Sequence, residues 1–250
     1  MFKGLKGAIL MYSKLPLPLK WEEDCKKYSL CFFPVVGIII GFMSVFAFMA
    51  MEMLKWGDIL KASVLTILPV IISGGIHTDG FIDTIDGLCS YKSEKERLEI
   101  LKDPHTGAFA VIYAVVYFVA VLGFFSEAGI RECVFSALGY VYSRALSGWS
   151  VVNLKTAKSD GMAADSAKRA ASKVKNIMWA EIIVCIIAFI ALDAVVGSMC
   201  VIGGILWLLW YKRIVYRAFG GVTGDTSGYF LQICELVILI AAVAMKGWGV

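Results

Sequence analysis

Three aspartates, Asp79, Asp83 and Asp86, lie in the stretch GGIHTDGFIDTIDG at 74–87, directly after a strongly apolar run. On a helix the spacing i, i+4, i+7 puts all three carboxylates on one face. Such a set repels itself unless a cation neutralises it, and a donor set made only of oxygen suits Mg2+ or Mn2+ rather than zinc. A single aspartate near the end of an apolar helix is ordinarily a solvated cap. Three on one face at the edge of lipid are costly, and such groups mark functional sites. His77, two residues before the first aspartate, reads either as a member of the site or as a hydrogen bonder at the helix end. The glycines at 74, 75, 80 and 87 let backbone approach closely or break the helix at its membrane end.

Further patches add to this inventory. In RLEILKDPHTGAF, Glu99 and Asp103 are again four apart, although Arg97 and Lys102 beside them also fit a plain solvated face. In GGVTGDTSG at 220–228, Asp225 sits among Gly220, Gly221, Gly224 and Gly228, with Thr223 and Thr226. Backbone N–H groups and hydroxyls in such a turn cradle phosphate, with an ordinary glycine turn as the alternative. Arg144 falls inside an apolar run and needs a carboxylate or a phosphate as partner. An acidic face, basic residues and glycine turns together suit transfer of a phosphoryl-linked group from a diphosphate with Mg2+ as cofactor.

These groups have to be positioned by membrane helices. The 250 residues are 59% hydrophobic and 18% charged, with a mean hydropathy of +0.77, far from the composition of a soluble domain. Apolar runs at 31–53, 59–76, 107–126, 133–153, 177–196, 199–211 and 229–245 predict an all-α integral membrane protein of about seven transmembrane helices. Segment 177–211 is expected to form the fifth and sixth as two short spans with a tight turn at Gly197-Ser198, or one span plus a re-entrant piece. Residues 1–27 lack the apolar core and cleavage site of a secretory leader, so none is expected. Of the 24 Lys and Arg, only Lys55, Lys61, Arg131 and Lys246 fall on one side of this arrangement and Arg144 inside it; all others fall on the opposite side. The positive-inside bias then puts the N-terminus in the cytoplasm. The expected architecture is one polytopic domain over 1–250, with cytoplasmic-face loops at 77–106, 154–176 and 212–228 sharing one site. Segment 155–175 alone has soluble character and is expected to be a loop or an interfacial helix. The seven cysteines lack metal-ligand or disulfide spacing.

At these residues the chain resembles the cobalamin synthase family, adenosylcobinamide-GDP ribazoletransferases. The pattern G-G-x-H-x-D-G-x-x-D-x-x-D-G is met at Gly74, Gly75, His77, Asp79, Gly80, Asp83, Asp86 and Gly87. SKLPLP at 13–18 is similar to an N-terminal T-R-L-P-V-P, Leu98 to Asp103 to L-E-I-M-K-D, and 220–228 to G-G-x-T-G-D-T-x-G. The resemblance implies a multi-pass enzyme of the inner cell membrane with its active site facing the cytoplasm. Its substrates would be adenosylcobinamide-GDP and α-ribazole or α-ribazole 5′-phosphate; its surroundings would be the lipid bilayer, with no nucleic-acid partner. Carried over to this chain, Asp79, Asp83, Asp86, Asp103 and Asp225 are candidate Mg2+ ligands. His77, Asp83 and Asp86 are candidate catalytic groups, with His77 or a free carboxylate as general base. Arg144, Arg217, Gly221, Thr223, Gly224 and Thr226 are candidate phosphate contacts. Two positions depart from the pattern: His105 stands where an arginine is expected, and Gln232 where a glutamate is expected, with Glu235 keeping an acid one turn later.

Other classes fit less well. DTIDG at 83–87 begins like a CDP-alcohol phosphotransferase signature, but Leu88, Cys89, Ser90 and Tyr91 break it. Aspartate-rich membrane prenyltransferases use two acidic motifs, and the second is missing. A cation transporter would carry its charges near mid-bilayer, where only Arg144, Glu181 and Asp193 are candidates.

Overall fold

A computed structural model describes residues 2–16, 18, 25, 28–157 and 172–246. Ten α-helices make up the described chain: α1 Phe2–Tyr12, α2 Phe33–Met53, α3 Asp58–Ser73, α4 Ile76–Cys89, α5 Glu94–Ile100, α6 Ala108–Glu127, α7 Ile130–Asn153, α8 Ser172–Leu192, α9 Ala194–Ala218 and α10 Gly224–Ala244. There is no strand among the described residues. The protein is an all-helical, multi-pass membrane protein of about seven spans. Five helices are long and apolar enough to cross a bilayer on their own, namely α2 with the turn before it, α6, α8, α9 and α10. The α3–α4 pair passes the same test together but is bent by 94°. The remaining helix, α7, carries Arg144 among serines, glycines and tyrosines, and it is the most enclosed element of the bundle.

Lipid explains the inverted surface. Phe42, Phe46 and Met49 on α2, Val111, Val115 and Val119 on α6, and Leu206, Leu209 and Trp210 on α9 are all exposed. Inside hydrocarbon such side chains need no cover, whereas every backbone polar group must be paired within its own helix. Association therefore relies on close packing rather than on hiding apolar area. Gly37 and Gly41 of α2, one turn apart, lie directly against the backbone of Tyr140 and Ala137 on α7.

The elbow between α3 and α4 consists of Gly74 and Gly75, both left-handed at φ 66° and 77°. Two consecutive residues in that region favour glycine strongly, because a Cβ would clash with backbone. The elbow turns α4 back onto α10, and the two run antiparallel: Gly80 meets Asp225, the backbone of His77 meets Gly228, and Thr78 bonds Gln232. Asp83 and Asp86 thus lie beyond the N-terminal end of α10.

Several boundaries differ from the sequence reading. The segment 77–106 is mostly helical, comprising α4 and α5, rather than a loop. Lys212, Arg213 and Arg217 continue α9, and α10 starts at Gly224, so the expected loop 212–228 shrinks to 219–223. The connection after α7 is described only over 154–157, and α8 begins by Ser172; the expectation for 158–171 lies outside the described residues. The turn between α8 and α9 is at Asp193 rather than at Gly197-Ser198. The Asp193 carboxylate accepts the N–H groups of Val195 and Val196 at 2.9 and 2.8 Å and so caps α9. Gly197 instead lies on the Phe189 carbonyl, where only a glycine fits.

Candidate active site

At about 100° per residue, Asp79, Asp83 and Asp86 fall within about 60° of one another around α4. Asp79 is exposed, while Asp83 and Asp86 are half-buried. The Asp86 Oδ2 accepts the Gly107 N–H at 3.1 Å, which ties this face to the start of α6. From α10, Asp225 approaches the same face because Gly80 has no side chain: a Cβ there would stand 2.7 Å from the Asp225 carbonyl oxygen. Burial, and then the negative charges of Asp79, Asp225 and Asp86, raise the affinity of Asp83 for a proton. Four of the five predicted metal ligands are thus brought to one place.

Asp103 is not seen with them among the described residues. It is exposed beyond α5, and its Oδ1 accepts the His105 backbone N–H at 2.9 Å and pairs with the His105 imidazole at 2.7 Å. These bonds hold the Asp103 carboxyl below the usual carboxylate range. His105, where a fixed positive charge was expected, therefore serves Asp103.

His77 does not face the aspartates. Around α4 it points about 160° away from Asp79, and it is buried with only 7% of its surface exposed. Its ring lies 5.5 Å from that of Phe33 and 6.4 Å from that of Tyr12. A group so placed packs α4 into the bundle on the side away from the carboxylates.

Arg144 also has a different partner from a phosphate. It is 2% exposed, and its Nη1 donates to Glu235 Oε1 at 2.7 Å and to the Tyr140 carbonyl at 2.8 Å. The Ser143 hydroxyl donates to the same Glu235 oxygen at 3.0 Å. Arg217 is exposed in the last turn of α9, with no ion pair among the described residues.

The 219–223 turn is largely committed to structure. Thr223 caps α10 by accepting the Thr226 N–H at 3.1 Å, and the Thr226 hydroxyl accepts the Thr223 N–H at 2.8 Å. Both threonines are buried, so neither hydroxyl is presented to a ligand. Gly221 packs against the strand-like bridge in which Val222 exchanges backbone bonds with Lys155 and Ala157 at 2.8 and 3.0 Å. Gly224 differs: it is exposed, and nothing stands within 4 Å of where its Cβ would be. Of the four predicted phosphate contacts in this turn, only Gly224 is open.

Two contacts escaped the sequence reading. The Glu94 carboxylate lies on Gly220, whose left-handed φ of 72° and missing side chain make room for it. Nothing in the sequence signals that meeting. The Gly107 N–H on Asp86 had a fainter trace, since Gly107 stands just ahead of the apolar run of α6.

Among the described residues, no three acidic, histidine or cysteine side chains already close on a single point. The donor chemistry nevertheless fits a hard divalent cation. Four carboxylates face a common region, and the charges of three of them fall on the fourth.

Comparison with known proteins places the chain in a family. The family model described as cobalamin-5-phosphate synthase matches residues 4–243. A Lachnoclostridium phytofermentans protein named adenosylcobinamide-GDP ribazoletransferase is 43% identical over 242 residues, covering 96% of this chain and 93% of its own length. Proteins of the same name from Clostridium botulinum and Chlorobaculum parvum are 30% and 29% identical, covering 97% and 99% of the chain and 97% and 98% of their own lengths. No solved structure matches. A match of this extent, running through the acidic face of α4 and the turn before α10, makes the chain a member of the cobalamin-5-phosphate synthase family.

Proposed function

We propose that this protein transfers the adenosylcobinamide phosphate group from adenosylcobinamide-GDP to α-ribazole or α-ribazole 5′-phosphate. GMP is released, and adenosylcobalamin or its 5′-phosphate is formed, the last step of nucleotide-loop assembly. The observation that carries this reading is the convergence of Asp79, Asp83, Asp86 and Asp225 where α4 meets α10, in a chain that matches the family along nearly its whole length.

A ribose hydroxyl of α-ribazole attacks the phosphorus that carries cobinamide. The new P–O bond forms as the bond to the bridging oxygen breaks, and GMP leaves with that oxygen. The hydroxyl proton passes to a carboxylate of the α4 face, because His77 is turned away from it. Mg2+ held by Asp79, Asp83, Asp86 and Asp225 would neutralise the diphosphate and the charge developing on GMP. Gly107 fixes the Asp86 carboxylate through its N–H. The open first turn of α10 at Gly224 offers backbone N–H groups to phosphate oxygens, and Arg217, exposed in the last turn of α9, is a candidate cation for them. The bias of Lys and Arg supports a site facing the cytoplasm of the inner membrane, where a guanine nucleotide is supplied.

The test is an assay of purified, detergent-solubilised protein with adenosylcobinamide-GDP, α-ribazole and Mg2+, following the corrinoid product by chromatography. Monodisperse, folded protein that makes no product overturns the assignment. Asp83→Asn should lose turnover while its melting temperature holds, and a near-normal rate would remove Asp83 from the metal site.

A further inference from the structure

A cavity lies inside the bundle between α3, α6, α7 and α10, with about 20 Å3 of room for the centre of a water molecule. Most of its lining is apolar, and its polar groups are Thr66, Tyr117, Ser136, Tyr140, Gln232 and Glu235. Glu235 sits midway along α10, yet its side chain keeps 12% of its surface exposed. Its Oε1 is taken by Ser143 and Arg144, and no hydrogen bond to its Oε2 is seen among the described residues. Tyr140 and Ser136 of α7 both line the same cavity. On the other side, the Tyr117 hydroxyl donates to Gln232 Oε1, and Gln232 Nε2 donates to the Thr78 hydroxyl of α4 at 3.0 Å.

A cavity that offers a water two to four polar partners and more than about 10–15 Å3 of such room can hold one, even where the rest of its lining is apolar. A cation is disfavoured, because Arg144 already balances the Glu235 charge at 2.7 Å. We propose that one ordered water occupies this cavity at mid-membrane. It bonds to Glu235, to a hydroxyl of Tyr140 or Ser136 and to the Tyr117 hydroxyl, and so joins the Arg144–Glu235 pair to the Tyr117–Gln232–Thr78 chain that anchors α4. This inference is independent of the reaction proposed above.

X-ray radiolysis of the protein in nanodiscs tests it, because hydroxyl radicals made from a bound water label the side chains beside it. A bulk scavenger is added until the label on Tyr91, 89% exposed in a loop, disappears. Tyr140 and Tyr117 should still be labelled, and Tyr142, fully buried two residues along α7, should stay silent. In Ser136→Val, which fills the cavity, the Tyr140 label should be lost while the melting temperature is kept. Silence at both Tyr140 and Tyr117 in the unaltered protein overturns the proposal, as does labelling of Tyr142 equal to that of Tyr140, or a Tyr140 label that survives Ser136→Val. A melting temperature that drops when sodium is replaced by choline assigns the cavity to a cation and equally overturns it.

Discussion

The contact between Gly80 and Asp225 makes a single methyl group an informative probe. In Gly80→Ala the new Cβ would stand 2.7 Å from the Asp225 carbonyl oxygen and 2.9 Å from its Cα, where ordinary contact begins at 3.4 Å. Both atoms are backbone and cannot swing aside, so α4 and α10 must part by 0.5 to 0.7 Å, the difference between those distances. Overpacking of this kind costs about 1–3 kcal/mol, and the better helix propensity of alanine returns up to about 1 kcal/mol. Folding stability should therefore fall only modestly. Turnover should fall much further, because misplacing catalytic groups by about 1 Å costs on the order of 10²-fold, and this shift moves Asp225 relative to Asp79 and Asp83. Corrinoid product formation at saturating substrate, measured beside melting temperature, should show a loss of roughly 10- to 100-fold in kcat. Gly123→Ala is the matched control, since nothing lies within 4 Å of its Cβ position in α6; it should leave turnover unchanged and stability equal or slightly higher. Gly80→Ala with kcat within about twofold of the unaltered protein would refute the idea that the spacing of these two helices sets the site.

Other substitutions probe the supports. Glu235→Leu leaves Arg144 buried without its partner and should cost about 3–5 kcal/mol, with Arg144→Met in the same chain recovering much of it, read by detergent melting. Thr226→Ala removes the hydroxyl that accepts the Thr223 N–H and should cost about 0.5–2 kcal/mol. Its turnover should change little if that hydroxyl never touches phosphate. A cysteine replacing the exposed Lys92 between α4 and α5 should resist a membrane-impermeant maleimide in intact cells and react after lysis; labelling from outside would reverse the orientation.

The parts of the fold that depend on apolar length were legible in the sequence, and those that depend on individual pairings were not. Seven runs of hydrophobic residues correspond to α2, α3 and α6 to α10, because crossing lipid imposes that length regardless of neighbours. The turn at Asp193 was missed because a glycine–serine pair looks like a break, whereas Gly197 serves helix contact and an aspartate makes the cap. The aspartate face of α4 follows from spacing alone. The same arithmetic already turned His77 to the opposite side, but its burial among Tyr12 and Phe33 needed the tertiary structure. For Arg144 the sequence offered a carboxylate or a phosphate; only packing of α7 on α10 selects Glu235. The threonines before α10 could be read as phosphate donors until their mutual capping bonds were visible.

The meeting of α4 with α10 has a consequence for biosynthesis. The chain emerges from the ribosome N-terminus first, so Asp79, Asp83 and Asp86 enter the membrane boundary long before the residues that complete their surroundings are made. Gly228 and Asp225 belong to the final span, and α4 cannot seat against them until it has been inserted. The α4–α10 contacts therefore form only once α10 has been made: a chain stopped before Gly224 could insert most of its helices and still lack them.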